Sequence, residues 1–368
     1  MPAPTAERAD SWPYRLSTER PGLTGPVAEP AVESAFHPAA VASGTDAMRH
    51  FCHAAVVAPS LFSFPLSLGS WQTIELLDDR EGAELFEAAW SAGIRTFDVA
   101  RYTADNGGLT GDEGATEAAF ARFSKLAGIP GDEVAVAGKV WFDRWPGVRP
   151  LDEVRGSLER LGRTRYDLVY LESRPPSGTS DLSPARAVEE LAAVVEAGLA
   201  EEWGLGSWSA EDTTEALSAA RSLGLPPPAA FQQPYSVVWR STLDSDAWRA
   251  LLAEHPVPVV ASAPLAYGLL TGKYGSGEVA GRMAGLWTSE GAEGVRSIIG
   301  AYAALAAEAG WDPVHLALAF ALDHPAVRAV VFGARNADQL RHNTGVVQRL
   351  GPLDPELKAR LKTLPSLG

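Results

Sequence analysis

Three observations lead us to predict an α/β fold, a (β/α)8 TIM barrel. From about residue 60 onward, short apolar runs alternate with longer stretches of helical periodicity. Alternation of this kind predicts a parallel sheet, and eight such units predict that the sheet closes into a barrel. The length of 368 residues also suits one barrel domain.

Short apolar segments are the predicted strands. In chain order they cover residues 65–70, 95–99, 133–139, 166–172, 201–206, 229–232, 257–262 and 328–332. Amphipathic helices are predicted between them, among others over residues 81–92, 151–161, 185–197 and 210–223. Gly93 marks the end of one helix. Ser183 and Pro184 mark the start of another, with a capping side chain followed by a proline at the first helical position.

The chain is predicted to have two parts. Residues 1–47 are rich in Pro, Ala, Ser, Thr and Glu without a sustained period, which predicts a disordered or loosely packed extension. Residues 48–368 form the predicted barrel. The only cysteine, Cys52, lies between His50 and His53. We interpret this segment as a short edge segment rather than a metal site, because the side chains of neighbouring residues point in different directions and cannot share one ion.

Composition limits the classes of partner. Lys and Arg number 31 against 46 Asp and Glu, a net charge of −15, which argues against nucleic acid and membrane partners. One cysteine excludes an intramolecular disulfide and fits a cytoplasmic protein. We expect neither a membrane helix, which needs ~20 apolar residues, nor a signal peptide. The oligomeric state stays open.

A doubly wound dinucleotide fold is the rival architecture. It requires G-x-G-x-x-G between an early strand and a helix. The nearest match, residues 204–209, lacks the third glycine and lies in mid-chain. The sequence therefore favours the barrel.

Titratable residues end three successive predicted strands. These are Asp98, Lys139 and Glu172, and Tyr102 follows Asp98 by four residues. Strand carboxyl ends converge on one mouth of a barrel, where active sites lie. A buried Asp98 and Lys139 should pair, and a lysine near Tyr102 should lower the tyrosine pKa and make it a usable proton donor. Each residue alone also fits a structural role, but their order on adjacent strands favours a functional one.

Several segments together resemble one family, the aldo-keto reductases, over about residues 60–350. The matching segments are Leu68-Gly69-Ser70-Trp71, Phe97-Asp98-Val99-Ala100, Gly138-Lys139-Val140, Ser157–Gly162 with Tyr166-Asp167-Leu168, Pro234-Tyr235-Ser236 with Arg240, Pro264-Leu265 with Gly268–Tyr274, and Gly333-Ala334-Arg335 with Gln339 and Asn343. The last two segments are specific to the family. The earlier segments are less specific, but they support the resemblance because they occur in the family's order.

The resemblance implies an oxidoreductase that uses NADPH to reduce a carbonyl group of a small molecule. From the resemblance and the strand-end positions we expect catalysis to involve Asp98, Tyr102, Lys139 and Glu172, with Tyr102 as proton donor. We expect the cofactor to be bound by Gly69, Ser70, Ser207, Gln232, Ser262, Leu265, Gly333, Arg335, Gln339 and Asn343. An arginine fork beside a helix beginning at Asn336 suits the 2′-phosphate of NADPH.

The sequence departs from the family pattern at four places. Tyr102 follows the aspartate by four residues where the family has five. Glu172 replaces a histidine, Gly206 precedes Ser207 where the family has Ser-Asn, and Ser262 replaces an aromatic residue. A protonated Glu172 could donate to a substrate oxygen, whereas an ionised one would repel an oxyanion or simply pair with Lys139 or Arg174.

Aromatic residues suggest the class of substrate. Trp71, Trp141 and Phe142, with Trp145 nearby, follow the first and third strands, and they form either pocket walls or a packed rim. We expect a medium-to-large, partly apolar carbonyl compound, such as a secondary-metabolite intermediate or a modified sugar. Two alternatives remain: reduction of an activated C=C bond with Glu172 as acid, and a non-redox lyase, cyclase or binding protein.

No metal site is expected in the barrel region. Its histidines, His255, His315, His324 and His342, fall in predicted helices or at their ends and show no metal-ligand spacing.

Overall fold

The computed structural model describes residues 61–103, 108, 112–172, 182–276 and 282–367. The predicted extension 1–47, the segment 50–53 and Arg174 lie outside the described residues.

Eight parallel strands form a closed barrel in sequence order. They are β1 Leu66–Gly69, β2 Thr96–Asp98, β3 Ala135–Val140, β4 Tyr166–Glu172, β5 Ala200–Gly206, β6 Ala230–Pro234, β7 Val259–Ser262 and β8 Val327–Phe332. The barrel closes where β1 pairs with β8, with Leu66 opposite Val330. All eight predicted strands and the predicted TIM barrel are confirmed.

Helices follow the strands and surround the barrel. They are α1 Asp79–Ser91, α2 Ala115–Leu126, α3 Pro150–Leu161, α4 Pro184–Glu196, α5 Ala210–Ser222, α6 Asp246–Glu254, α7 Ala284–Thr288, α8 Glu293–Glu308, α9 Pro313–Leu322, α10 Ala337–Thr344 and α11 Pro355–Thr363. Short 3₁₀ helices include Ala266–Thr271 and Lys273–Ser276 after β7. Within the described ranges, no helix is long and apolar enough to cross a membrane.

Local sequence explains the helix boundaries. Asp78 caps α1, and Glu81 returns a bond to the Asp78 backbone, which completes a capping box. Ser183 caps α4 ahead of Pro184, as predicted. These caps satisfy amide groups that the first turn of a helix leaves without partners.

Strand alternation sorts side chains between two cores. A small core inside the barrel contains Ala135, Ala137, Leu168 and Tyr170, while the larger core lies between the strands and the helices. Residues two apart on a strand share a face. Lys139 therefore follows Ala137, and Glu172 follows Tyr170, on the inward face at the carboxyl edge.

Candidate active site

Four polar side chains meet at the carboxyl edge of the barrel. The Lys139 ammonium Nζ donates to Glu172 Oε1 at 2.6 Å and to the side-chain oxygen of Gln232. Lys139 Nζ also lies 3.5 Å from Asp98 Oδ2, and Gln232 Nε2 donates to the same oxygen at 2.7 Å. All four residues are buried. We call Asp98, Lys139, Glu172 and Gln232 the mouth cluster.

Charge pairing keeps Lys139 protonated. Burial lowers the pKa of Lys139, but the carboxylates of Asp98 and Glu172 outweigh burial, so the net pKa is raised above its usual value. The predicted Asp98–Lys139 pair is present. The shorter contact, however, is to Glu172, within the range of a charge-assisted bond.

Tyr102 lies buried beside the mouth cluster. Its ring centroid is 5.7 Å from that of Trp141. Burial, followed by the charges of Asp98 and Glu172, raises its pKa well above the usual value. The prediction that Lys139 lowers this pKa is wrong for this structure. The ammonium is engaged by Glu172 and Gln232, and burial, followed by the carboxylate charges, favours the neutral phenol.

Glu172 and Gly206 fit each other across the β4–β5 pair. They are direct register partners, and a Cβ atom added to Gly206 would lie 2.7 Å from Glu172 Oε1. Real Cβ contacts are essentially never that short. The two departures from the family pattern at residues 172 and 206 are therefore sterically linked. Gly206 has no side chain, and the Glu172 carboxylate occupies the space that a side chain there would fill.

A buried ion-pair network joins the loops after β2 and β3, and sequence reasoning missed it. The fully buried Arg101 guanidinium lies 2.5 Å from Asp143 and 3.4 Å from Glu153. Burial lowers the pKa of Arg101, but Glu153 and Asp143 outweigh burial and raise it overall. Arg101 precedes Tyr102 and Asp143 follows Phe142, so this network fixes the two loops that carry site residues. The sequence signal is a cation three residues after the end of a buried strand.

Aromatic rings line one side of the mouth. Tyr267 stands 5.1 Å from Trp71 and 4.9 Å from Trp239, centroid to centroid. The Arg282 guanidinium lies 4.9 Å from the Trp71 ring and donates to the Trp71 carbonyl at 2.8 Å. Tyr267 and Arg282 were not predicted, because they lie about 200 residues from Trp71 in sequence. Tyr267 follows the half-buried Ser262 and supplies an aromatic ring after β7.

Three cations beyond this aromatic side lie close enough to affect one another electrostatically. Burial and then Arg335 lower the pKa of Arg282 to about 10. Burial, Arg335 and Arg282 also lower the pKa of Lys273. Glu75 is nearby, but burial raises its pKa and so favours its neutral form. Mutually repelling cations indicate a site for an anion such as phosphate. We call Lys273, Arg282 and Arg335 the cation trio.

Helix α10 begins as predicted at Asn336. The Asn336 side chain caps the helix by accepting from the Gln339 amide at 2.8 Å. The Gln339 side chain accepts from the Arg335 amide at 3.0 Å, and Asn343 is buried on the same helix. The residues predicted to bind the phosphate and adenine end of the cofactor thus lie on one short segment.

The remaining predicted residues lie at the strand ends of the mouth. Gly69 packs closely, since a Cβ there would lie 2.8 Å from Val331, and one on Gly333 would lie 2.9 Å from Thr73. Ser70 is buried, and the Ser207 amide donates to the Gln232 carbonyl at 2.8 Å. Leu265 is half-buried after β7. Their predicted roles stay predictions.

A small cleft of about 30 Å³ opens beside Glu172. Its wall includes Phe142, Leu182, Trp208 and Asp212. Trp141 is half-buried nearby in sequence. The cleft is mainly apolar with an acidic group, which is the usual composition of a small-molecule pocket.

The barrel mouth has the features of an enzyme active site. It combines a β/α barrel, a buried tyrosine–lysine–carboxylate group and the cation trio on the same edge. The sequence model described as the Aldo/keto reductase family matches residues 65–364. The chain therefore belongs to this family, whose members are typically NAD(P)H-dependent oxidoreductases.

Relatives include proteins named as channel subunits. The chain is 28% identical over 317 residues to a protein of Oryza sativa subsp. japonica named "Probable voltage-gated potassium channel subunit beta", covering 81% of this chain and 92% of that protein. The Arabidopsis thaliana protein of the same name is 27% identical, covering 79% and 89%. A Schizosaccharomyces pombe protein, "Putative voltage-gated potassium channel subunit beta", is 28% identical, covering 80% and 88%.

The steric fit at Gly206 predicts a strong coupling with Glu172. Gly206→Ala should destabilise the protein by about 1–3 kcal/mol, the usual cost of overpacking. The same substitution in a Glu172→Ala background should cost far less, because the carboxylate is gone. Urea unfolding of the two single variants and the double variant measures the coupling. An equal cost of Gly206→Ala in both backgrounds would contradict the account.

The buried Arg101 network predicts an unusually costly substitution. Arg101→Leu should lower the free energy of unfolding by about 3–5 kcal/mol, because Asp143 and Glu153 would lose a buried partner. Arg122→Leu is the control, since Arg122 pairs with Asp79 at the surface and should cost under about 1 kcal/mol. Urea unfolding compares the two variants, and similar costs would show that the Arg101 network is not stabilising.

Proposed function

We propose that this protein is an NADPH-dependent reductase of a carbonyl group on a medium-to-large, partly apolar substrate. The observation that carries the proposal is a neutral, buried Tyr102 beside the mouth cluster, on the same barrel edge as the cation trio. A phenol in this state keeps its proton until a stronger base forms beside it.

The cation trio and α10 fit the phosphate end of NADPH. Arg335 offers a planar fork for a phosphate at the start of a helix, where free amides and the helix dipole favour anions. Lys273 and Arg282 add positive charge where their mutual repulsion would be relieved by an anion. Gln339 and Asn343 lie one turn apart on α10 and are proposed to hold the adenine end.

When bound, NADPH supplies the hydride to the carbonyl carbon. The chain contributes the proton: as the carbonyl oxygen becomes an alkoxide, the Tyr102 hydroxyl donates to it. The Lys139 ammonium pairs with Asp98 and Glu172 in the mouth cluster, so it offsets part of the negative charge that these carboxylates place near the tyrosine. Asp98 and Gln232 hold Lys139 in place through the bonds described above.

Glu172 is engaged by Lys139. Its Oε1 atom lies 2.6 Å from the Lys139 ammonium, so this oxygen is held inside the mouth cluster by a short charge-assisted bond. Reduction of an activated C=C bond would instead use Glu172 as an acid. The contact with Lys139 therefore supports carbonyl reduction over the C=C alternative, with Glu172 as an ion-pair partner in the mouth.

The apolar cleft supports a partly apolar substrate. Phe142, Leu182 and Trp208 supply its apolar wall beside Glu172, which is the kind of surface that a partly apolar substrate contacts. A secondary-metabolite intermediate or a modified sugar suits a wall of this kind. We also propose a cytoplasmic location, as the single cysteine suggests. We infer no channel partner from the names of the relatives, because a shared barrel does not fix what its outer surface binds.

The role of Tyr102 predicts a split between binding and turnover. Tyr102→Phe should keep the affinity for NADPH and lower kcat by roughly 10²–10⁴-fold, because only the proton donor is lost. Calorimetric titration with NADPH measures the affinity, and consumption of NADPH with a panel of aldehydes and ketones measures turnover. Wild-type turnover in this variant would remove Tyr102 from the mechanism. A wild-type protein that does not bind NADPH would overturn the proposed function as a whole.

The role of Arg335 predicts a loss of preference for NADPH over NADH. Arg335→Ala should weaken NADPH binding by roughly 10- to 100-fold, the value of a charge-assisted hydrogen bond, and should leave NADH binding little changed. Arg341→Ala, on the α10 helix that follows Arg335, is the control, since Arg341 pairs with Asp338 at the surface. Equal losses for the two nucleotides would place the 2′-phosphate elsewhere.

A further inference from the structure

A second cluster of potential ligands lies outside the mouth cluster and the cation trio. Asp312 caps α9 and accepts at Oδ1 from the amides of Val314 and His315, at 2.9 and 3.1 Å. His342, in the last turn of α10, has Nε2 3.2 Å from the same oxygen. The rings of His315 and His342 stack with centroids 4.9 Å apart. The expectation that these histidines form no group is therefore wrong, because α9 and α10 pack together.

We propose that Asp312, His315 and His342 form a binding site for a divalent transition-metal ion of the zinc class. One ligand atom from each residue lies within 4.8 Å of the others. Two imidazole nitrogens and one carboxylate oxygen are ligands that Zn²⁺ prefers, and a water molecule completes a tetrahedral site.

The site needs only a small contraction. Tetrahedral Zn²⁺ with bonds of about 2.0–2.1 Å holds its ligand atoms about 3.3 Å apart. The side chains of His342 and Asp312 are 49% and 35% exposed, so they can rotate toward an ion that enters from solvent. Capping uses Oδ1 of Asp312, and a carboxylate has a second oxygen for the metal.

Local packing limits where His315 can move. A Cβ atom on Gly345 would lie 3.2 Å from the ring carbon Cε1 of His315, so the ring rests against the backbone that follows α10. A His315 ring nitrogen also lies 2.6 Å from the His342 carbonyl oxygen. An ion bound here would link the start of α9 to the end of α10, and it would stabilise the native state by mass action.

Calorimetric titration of the full chain with ZnCl₂, after treatment with a chelator, tests the site. We expect His315→Ala and His342→Ala each to weaken Zn²⁺ binding at least tenfold. Asp312→Asn should do the same while keeping the cap, because asparagine caps helices about as well as aspartate. His255→Ala, which removes a histidine at the end of α6, is the control and should leave the affinity unchanged.

Two further measurements separate this site from other causes. Thermal unfolding should show that Zn²⁺ raises the Tm of the wild type and of His255→Ala, but not that of His342→Ala. Zinc binding that persists unchanged in a His315→Ala, His342→Ala double variant would overturn the proposal and place the ion elsewhere, for example at residues 50–53. Absence of Zn²⁺ binding by the wild type would overturn it as well. The site does not depend on the reductase function, so NADPH binding has no bearing on this outcome.

Discussion

The ammonium of Lys139 organises the mouth of the barrel. It holds together side chains from β2, β4 and β6 through Asp98, Glu172 and Gln232. A buried lysine is costly unless it is paired, and here two carboxylates share it. Burial, followed by the charges of Asp98 and Glu172 in this cluster, raises the pKa of the neighbouring Tyr102 and favours its neutral phenol. The proposed proton donor and the arrangement of the strand ends thus depend on the same group of contacts.

Each residue of the mouth that departs from the family pattern is accommodated by a neighbouring residue. Glu172 needs the space above Gly206 and the charge of Lys139. Ser262 offers no ring, and Tyr267 from the following segment packs against Trp71 instead. The Glu172 side chain thus fills the space beside Gly206 and is paired with Lys139, and the Tyr267 ring supplies the aromatic contact that Ser262 cannot make. Glu172 therefore occupies the mouth with both its space and its charge accommodated.

The sequence was sufficient to predict the fold and the placement of the mouth residues. Alternation of apolar runs and helical stretches predicts all eight strands, and a parallel barrel brings their carboxyl ends together whatever the loop sequences are. Asp98, Lys139 and Glu172 could be predicted for that reason. The pKa of Tyr102 could not, because it depends on distances between side chains of different strands. Arg101, Tyr267 and Arg282 were missed because their partners are distant in sequence, and the Asp312–His342 cluster because it depends on how two helices pack.

Hydride transfer traced with an isotope tests the central claim most directly. Benzylideneacetone, an α,β-unsaturated ketone, offers both a carbonyl carbon and an activated C=C bond to NADPH deuterated at its hydride-donating position. Mass spectrometry and NMR of the product locate the label, and a panel of aldehydes and ketones is run in parallel. We expect deuterium on the former carbonyl carbon and an intact C=C bond. Deuterium on the β-carbon, or no transfer to any compound at saturating NADPH, would contradict the account.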